Sequence, residues 1–275
     1  MGRLEAALRA RRGAGGHAFV PYVTGGYPGV DAGLLRRLEA AGADAIEVGI
    51  PFSDPVMDGG VIQEASAEAL RGGVTPTDVF AAIEEAATDV PIAVMTYVNP
   101  VFRHGIGSFL DDAAAAGVAG VIVPDLPVDE SAELEDEAVA RGVDAVLLAA
   151  PGTTTDRLGE IGRRSRGFVY CVATYGVTGA RERLDDTARA VVEALRAQTD
   201  LPLLVGVGIG TPSQAAEVCS FADGVVVGSA LMARVVAGDP DGAVALARSF
   251  RKAIPGRDAM IPGPSAIPGG RAIPT

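Results

Sequence analysis

The sequence predicts a (β/α)8 barrel of the TIM class, built as a single domain. Three observations predict it. Short β-branched runs alternate with amphipathic or alanine-rich helical stretches, and eight such pairs fit into the chain. The 275 residues suit one such barrel, typically about 250 residues, with a tail beyond it. No Gly-x-Gly-x-x-Gly follows the first strand, as a dinucleotide-binding open sheet would require.

In chain order, the first twelve residues, Met-Gly-Arg-Leu-Glu-Ala-Ala-Leu-Arg-Ala-Arg-Arg, read as an amphipathic helix added ahead of the first strand. They lack the apolar core and cleavage site of a signal peptide. The strands read as Ala18–Thr24, Ala45–Gly49, Ile92–Tyr97, Gly120–Pro124, Ala145–Ala149, Phe168–Ala173, Leu203–Gly206 and Gly224–Gly228. After the second strand there is room for an extra helix, roughly Ile62–Arg71, before the one starting near Thr77. The stretch after the sixth strand is also long and begins Tyr175-Gly176-Val177-Thr178-Gly179. Extended loops at strand C-terminal ends are where barrels keep their active sites. The barrel is expected to occupy residues 1–253. Residues 254–275 repeat Ile-Pro-Gly, and proline denies them helix and ladder hydrogen bonds, so they read as a disordered tail.

Composition removes several function classes. A net charge of −12 argues against nucleic acid and anionic membranes as partners. No apolar run reaches the length of a membrane span. Cys171 and Cys219 give no disulfide framework, so a cytoplasmic location is expected. His17 and His104 show no metal-ligand spacing, so no metal site is expected. Lys252 is the only lysine and lies near the end of the last helix, badly placed for a Schiff base. Carbon–carbon chemistry here would have to run on carboxylates.

Two carboxylates stand out. Glu47 interrupts an apolar strand, and alternation puts it on one face with Ala45 and Gly49 while Ile46, Val48 and Ile50 share the other. If the apolar face meets helices, the carboxylate points into the barrel. Asp54 and Asp58 follow in a Pro/Asp-rich turn, and Glu47 and Asp58 form the candidate acid–base pair. The structural alternatives are an interstrand carboxylate for Glu47 and helix capping for the two aspartates. The same alternation aims Tyr22, Tyr97 and Tyr170 inward, near Ile122 and Leu148. There they either fill the core or line a pocket for a flat aromatic substrate.

Glycine clusters end the last three strands: Gly176–Gly179, Gly206–Gly210, and Gly228 with Ser229. Barrels often hold phosphate between the loops after strands seven and eight, on amide groups and a helix N-terminus. No lysine or arginine lies in either loop, so amide dipoles would carry most of the attraction. Ordinary turn glycines with Ser229 as an N-cap are the alternative.

At this point the residues resemble a known family. Ala18–Thr24, the Glu47–Asp58 segment, Met95–Pro100, Pro124–Pro127, Gly176–Gly179 and Val226–Ser229 are similar to the tryptophan synthase alpha subunit, over about residues 3–253. The resemblance implies reversible retro-aldol cleavage of indole-3-glycerol phosphate to indole and glyceraldehyde 3-phosphate. It implies no cofactor in this chain and a pyridoxal-phosphate beta subunit as partner, in an alpha2–beta2 complex that takes indole through a tunnel. Glu47 then resembles the acid–base, Asp58 the group that binds the indole N–H, and Tyr170 the tyrosine beside Glu47. Tyr22, Tyr97, Ile122, Leu148 and Thr178 fall at substrate-pocket positions. Gly179, Gly208, Gly228 and Ser229 fall at the phosphate site, and Pro51, Asp54, Asn99 and Pro127 on the partner-facing surface.

The chain departs from the family's common pattern at Gly60 and Val61, where Pro-Thr is frequent, and at Ala173, Val207 and Gly210. Losing the proline is expected to loosen the loop after Asp58. The alternatives are a self-sufficient lyase releasing free indole, a non-catalytic homologue that only activates a beta-type partner, and, more distantly, a sugar-phosphate epimerase.

Overall fold

Eight parallel strands close into a barrel in sequence order, with the eighth strand hydrogen-bonded to the first, in a computed structural model that describes residues 1–172, 186–206 and 208–256. The strands are β1 (Ala18–Thr24), β2 (Ile46–Gly49), β3 (Ile92–Met95), β4 (Val118–Ile122), β5 (Asp144–Ala149), β6 (Val169–Val172), β7 (Leu203–Gly206) and β8 (Gly224–Val227). Both faces of the strands are buried almost throughout, as expected when helices cover a parallel barrel.

Twelve helices surround it among the described residues. In order they are α1 (Arg3–Gly13), α2 (Ala32–Ala40), α3 (Gly60–Arg71), α4 (Pro76–Ala86), α5 (Val98–His104) and α6 (Ile106–Ala115). Then come α7 (Ala132–Ala140), α8 (Thr155–Arg164), α9 (Asp186–Arg196), α10 (Pro212–Val218), α11 (Ser229–Val236) and α12 (Pro240–Ala253). Helix starts are written locally. Thr75 with Asp78, and Thr211 with Gln214, form capping boxes ahead of α4 and α10, each with proline at the first turn. Asp239 caps α12 in front of Pro240.

The extra helices appear where expected, with α3 starting two residues earlier than read. One was not anticipated. β3 stops at Met95, and Tyr97 is the N-cap of α5, where the Asp125 carboxylate accepts the Val98 amide at 2.8 Å. Gly105, at φ 88°, then separates α5 from α6.

α1 closes the N-terminal mouth of the barrel. Leu4 and Leu8 are fully buried, and Leu4 reaches Gly120 on β4, where any larger residue would collide with it. Three aspartates at the strand starts fasten this end. Asp144 accepts the Glu5 amide at 3.1 Å, Asp44 meets Arg251 at 2.9 Å, and Asp223 meets Arg196 at 2.7 Å. This end is built for stability, as in barrels generally. A broad cleft of about 1170 Å³ also lies there, lined by Arg9, Arg163, Arg196 and Asp200 among others. Arg9, Arg163 and Arg196 are tied there to Asp200, Glu160 and Asp223, and the inward carboxylate of β2 is not part of its lining.

After α12, Ile254 is buried, and the Pro255 carbonyl accepts the His17 amide at 3.2 Å. Residues 257–275, most of the expected tail, lie outside the described residues.

Candidate active site

Glu47 sits midway along β2, in register with Tyr22 on β1 and Ala93 on β3. Its side chain points into the barrel and is 0% exposed. Neither carboxylate oxygen has a hydrogen-bond partner, a property shared among buried side-chain polar atoms of the described residues only with the hydroxyl of Thr96. Burial, reinforced by the charge of Asp58, pushes its pKa up to about 8. At neutral pH it is chiefly a carboxylic acid, held where water does not stabilise its anion.

Asp58 stands in the loop between β2 and α3 and is half-buried. Burial raises its pKa to about 6, opposed by a hydrogen bond from Tyr97. The Tyr97 hydroxyl donates to Asp58 Oδ2 at 3.2 Å and accepts the Met57 amide at 3.0 Å. Its ring stacks on Phe52, centroids 5.1 Å apart. Gln63 Nε2 donates to the Asp58 carbonyl at 2.9 Å, tying α3 back to the loop. The capping alternative is not realised: Gly59 is the N-cap of α3, with no side-chain bond. The two carboxyl groups differ in kind, one sealed and one hydrogen-bonded near solvent. Such divergence suits an acid and an anion acting on one ligand.

Tyr170 on β6 is in register with Leu148 and Leu204, and its hydroxyl lies over Gly206 on β7. Tyr22 lies the same way over Gly49 on β2, its ring also packing on Gly228. A Cβ at residue 49 or 206 would overlap the respective hydroxyl. Burial holds both phenols well above the usual tyrosine range. Among nearby charges, Glu47 weighs most on Tyr170 and Asp58 on Tyr22. Ile122 is fully buried and paired with Met95, and Leu148 is partly exposed at the same end of the barrel. Glu47 thus has Tyr22 and Ala93 beside it in register, and it lies near enough to Tyr170 for its charge to act on that phenol.

Gly228 is the N-cap of α11, and Ser229, exposed, begins that helix. Gly208 is exposed with φ 83°, a conformation that favours glycine. The Gly210 amide already donates to Gln214 Oε1 at 2.8 Å. Ser229 Oγ stands 3.7 Å from where a Cβ on Gly59 would lie, so the start of α11 adjoins the loop of Asp58. Thr178, Gly179, Ala173 and Val207 lie outside the described residues.

On the expected partner surface, Asp54, Asn99 and Pro127 are exposed, whereas Pro51 is buried at the base of the loop after β2. Pro51, being buried, does not itself present to a partner, contrary to expectation. Sequence reading missed Val56 and Phe102, apolar and 78% and 55% exposed, in the segments after β2 and β3. An apolar residue in a polar turn was the available signal. It also missed the two tyrosine–glycine pairings, which become visible only when strand register is known. His17 and His104 are structural, bonded to Pro255 and Asp112, and Lys252 is exposed on the last turn of α12. Among the described residues no cluster could hold a metal, and no helix is long and apolar enough to cross a membrane.

Comparison with known proteins gives a consistent picture. The family model described as tryptophan synthase alpha chain matches residues 8–253. The alpha chain of Streptomyces avermitilis is 43% identical over 264 residues, 93% of this chain and 95% of the relative. That of Synechocystis is 43% identical over 245 residues, 87% of this chain and 93% of the relative. Among solved structures, tryptophan synthase from Mycobacterium tuberculosis superposes with a TM-score of 0.86 at 39% identity, covering 92% of this chain and 98% of its own. The alpha chain from Legionella pneumophila gives 0.82 at 34%, covering 92% and 97%.

Proposed function

The chain belongs to the tryptophan synthase alpha chain family, and on that premise we propose that Glu47 and Asp58 carry its cleavage of indole-3-glycerol phosphate. The observation that supports these roles is the sealed Glu47 carboxyl with both oxygens unpartnered. Burying such a group without a hydrogen bond costs several kcal/mol, about 2–7 even for a neutral polar group. A fold keeps it when a ligand supplies the missing partner.

In this reading Glu47, protonated at rest, gives its proton to C3 of the indole. Asp58 accepts the indole N–H and stabilises the positive charge that develops on the ring. The iminium so formed is the electron sink that a lysine or metal would otherwise provide. Glu47, now a carboxylate, removes the proton from the hydroxyl on the adjoining carbon. The carbon–carbon bond breaks, its electrons restore the indole ring, and the new carbonyl belongs to glyceraldehyde 3-phosphate. One proton leaves Glu47 and one returns, so no cofactor is needed in this chain. Tyr170 walls the ring beside Glu47, while Tyr22, Tyr97, Ile122, Leu148 and Thr178 complete the pocket. Gly179, Gly208, Gly228 and Ser229 hold the phosphate on amide groups.

The partner is a pyridoxal-phosphate beta subunit, joined in an alpha2–beta2 complex in the cytoplasm. Asp54, Asn99 and Pro127 form the docking face together with exposed Val56 and Phe102. The contact includes the segment that carries Asp58, which is how docking reaches the catalytic loop. The test is indole release by the purified chain with and without a beta subunit. Slow release that rises on adding the partner supports this function. Fast release indifferent to the partner would instead mark a self-sufficient lyase, and none in either condition a non-catalytic homologue.

A further inference from the structure

Tyr22 and Thr24 are two apart on β1 and face the barrel interior, 5% and 0% exposed. Their hydroxyls stand 3.5 Å apart, and this is the one side-chain hydrogen bond either makes among the described residues. It is a poor bond, since hydroxyl pairs prefer about 2.7–2.8 Å. Between them the two groups offer two donors and four lone pairs, most of which this contact leaves unused. The Thr24 amide fares little better, donating to the thioether of Met232 at 3.4 Å. An apolar wall would need neither hydroxyl, and phenylalanine would supply the same ring.

The placement of Tyr22 identifies what is missing. Its ring starts against Gly228, at the phosphate cradle, and its hydroxyl ends over Gly49, two residues beyond Glu47 on β2. The side chain thus spans the distance between the cradle and the acid–base pair. In the substrate, that distance is bridged by the three-carbon chain with its two hydroxyls.

We propose that the Tyr22 and Thr24 hydroxyls are a substrate-positioning pair that hydrogen-bonds a hydroxyl of this chain. The inference rests on the assignment of the active site above and adds a contact that selects a hydroxylated linker over a plain alkyl one. No covalent step is involved.

The test compares two ligands on one background. In Glu47→Gln, expected to turn over too slowly to consume the ligand, binding of indole-3-glycerol phosphate is measured beside indole-3-propanol phosphate, whose chain carries no hydroxyl. Adding Tyr22→Phe is expected to weaken the first ligand roughly five- to tenfold, the worth of one hydrogen bond, and the second less than about twofold. Thr24→Val, tested separately, should show the same selectivity. Equal weakening of both ligands would reduce Tyr22 to an apolar wall and overturn the proposal. So would no change in either, or a shift only in the pH dependence set by Asp58. If Glu47→Gln binds neither ligand, the active-site assignment itself fails and takes this inference with it. If it binds both and only the selectivity is absent, the assignment stands and the positioning pair does not.

Discussion

The Tyr97 hydroxyl gives its one proton to Asp58 Oδ2, at 3.2 Å, while taking the Met57 amide at 3.0 Å. One phenol therefore fixes both the charge and the position of the loop carboxylate. A donor favours the ionised form of Asp58, so it works against the burial that raises its pKa to about 6.

Replacing Tyr97 by phenylalanine removes that donor. The pKa of Asp58 should then rise above about 6, and the acid limb of the pH profile of kcat/KM should move to higher pH. Activity near neutrality is expected to fall about ten- to a hundredfold, the scale of one hydrogen bond to a charged group. An unmoved acid limb would separate Tyr97 from the ionisation of Asp58.

Glu47 makes stability depend on pH in a definite direction. Its folded pKa of about 8 lies above the ordinary value of 4.5, so the folded state binds the proton more tightly. Its contribution is complete below the ordinary pKa and is lost as pH rises toward 8. Glutamine cannot ionise, so Glu47→Gln should raise the melting temperature more at pH 8 than at pH 5. The difference is on the order of a few kcal/mol, from 1.36 kcal/mol per pKa unit. Melting curves at the two pH values measure it, and an equal effect at both would mean that Glu47 is not held neutral.

Gly49 exists to admit Tyr22, since a Cβ there would overlap the phenol. Gly49→Ala should destabilise the fold by about 1–3 kcal/mol, the usual cost of overpacking, and lower cleavage. The effect should not add to that of Tyr22→Ala, which empties the colliding space. Denaturant unfolding of the single and double variants tests this, and simple additivity would separate the two residues.

Ser229 opens α11, where a carboxylate helps the helix but repels a bound phosphate. Ser229→Asp should therefore leave the melting temperature unchanged or higher while weakening indole-3-propanol phosphate at least about tenfold, since like charges about 4 Å apart repel by up to roughly 4 kcal/mol near a protein surface. Calorimetric titration reads the binding. Undiminished affinity would place the phosphate elsewhere.

Much of this was legible in advance because a barrel repeats one simple pattern. Period-two alternation placed Glu47 inside, and the absence of a usable lysine directed attention to carboxylates. Strand ends were less legible. β3 ends at Met95, and the start of α5 is met by Asp125, a partner 27 residues away from Val98 whose capping role no local pattern announces. The tyrosine–glycine pairings depend on register between neighbouring strands, which is a property of the closed barrel. The burial of Pro51 and the exposure of Val56 likewise follow from how one loop folds over the barrel mouth.

The most direct measurement is cleavage by Glu47→Gln set beside its affinity for indole-3-propanol phosphate. Loss of a group that both gives and removes the proton should lower turnover by several orders of magnitude, beyond the roughly 10²–10⁴-fold of a single acid–base role. Affinity should change by less than about threefold, since the amide is nearly isosteric and the phosphate site is untouched. Retained turnover, or parallel collapse of binding and turnover, would contradict the account and make the inward carboxyl of β2 a structural residue.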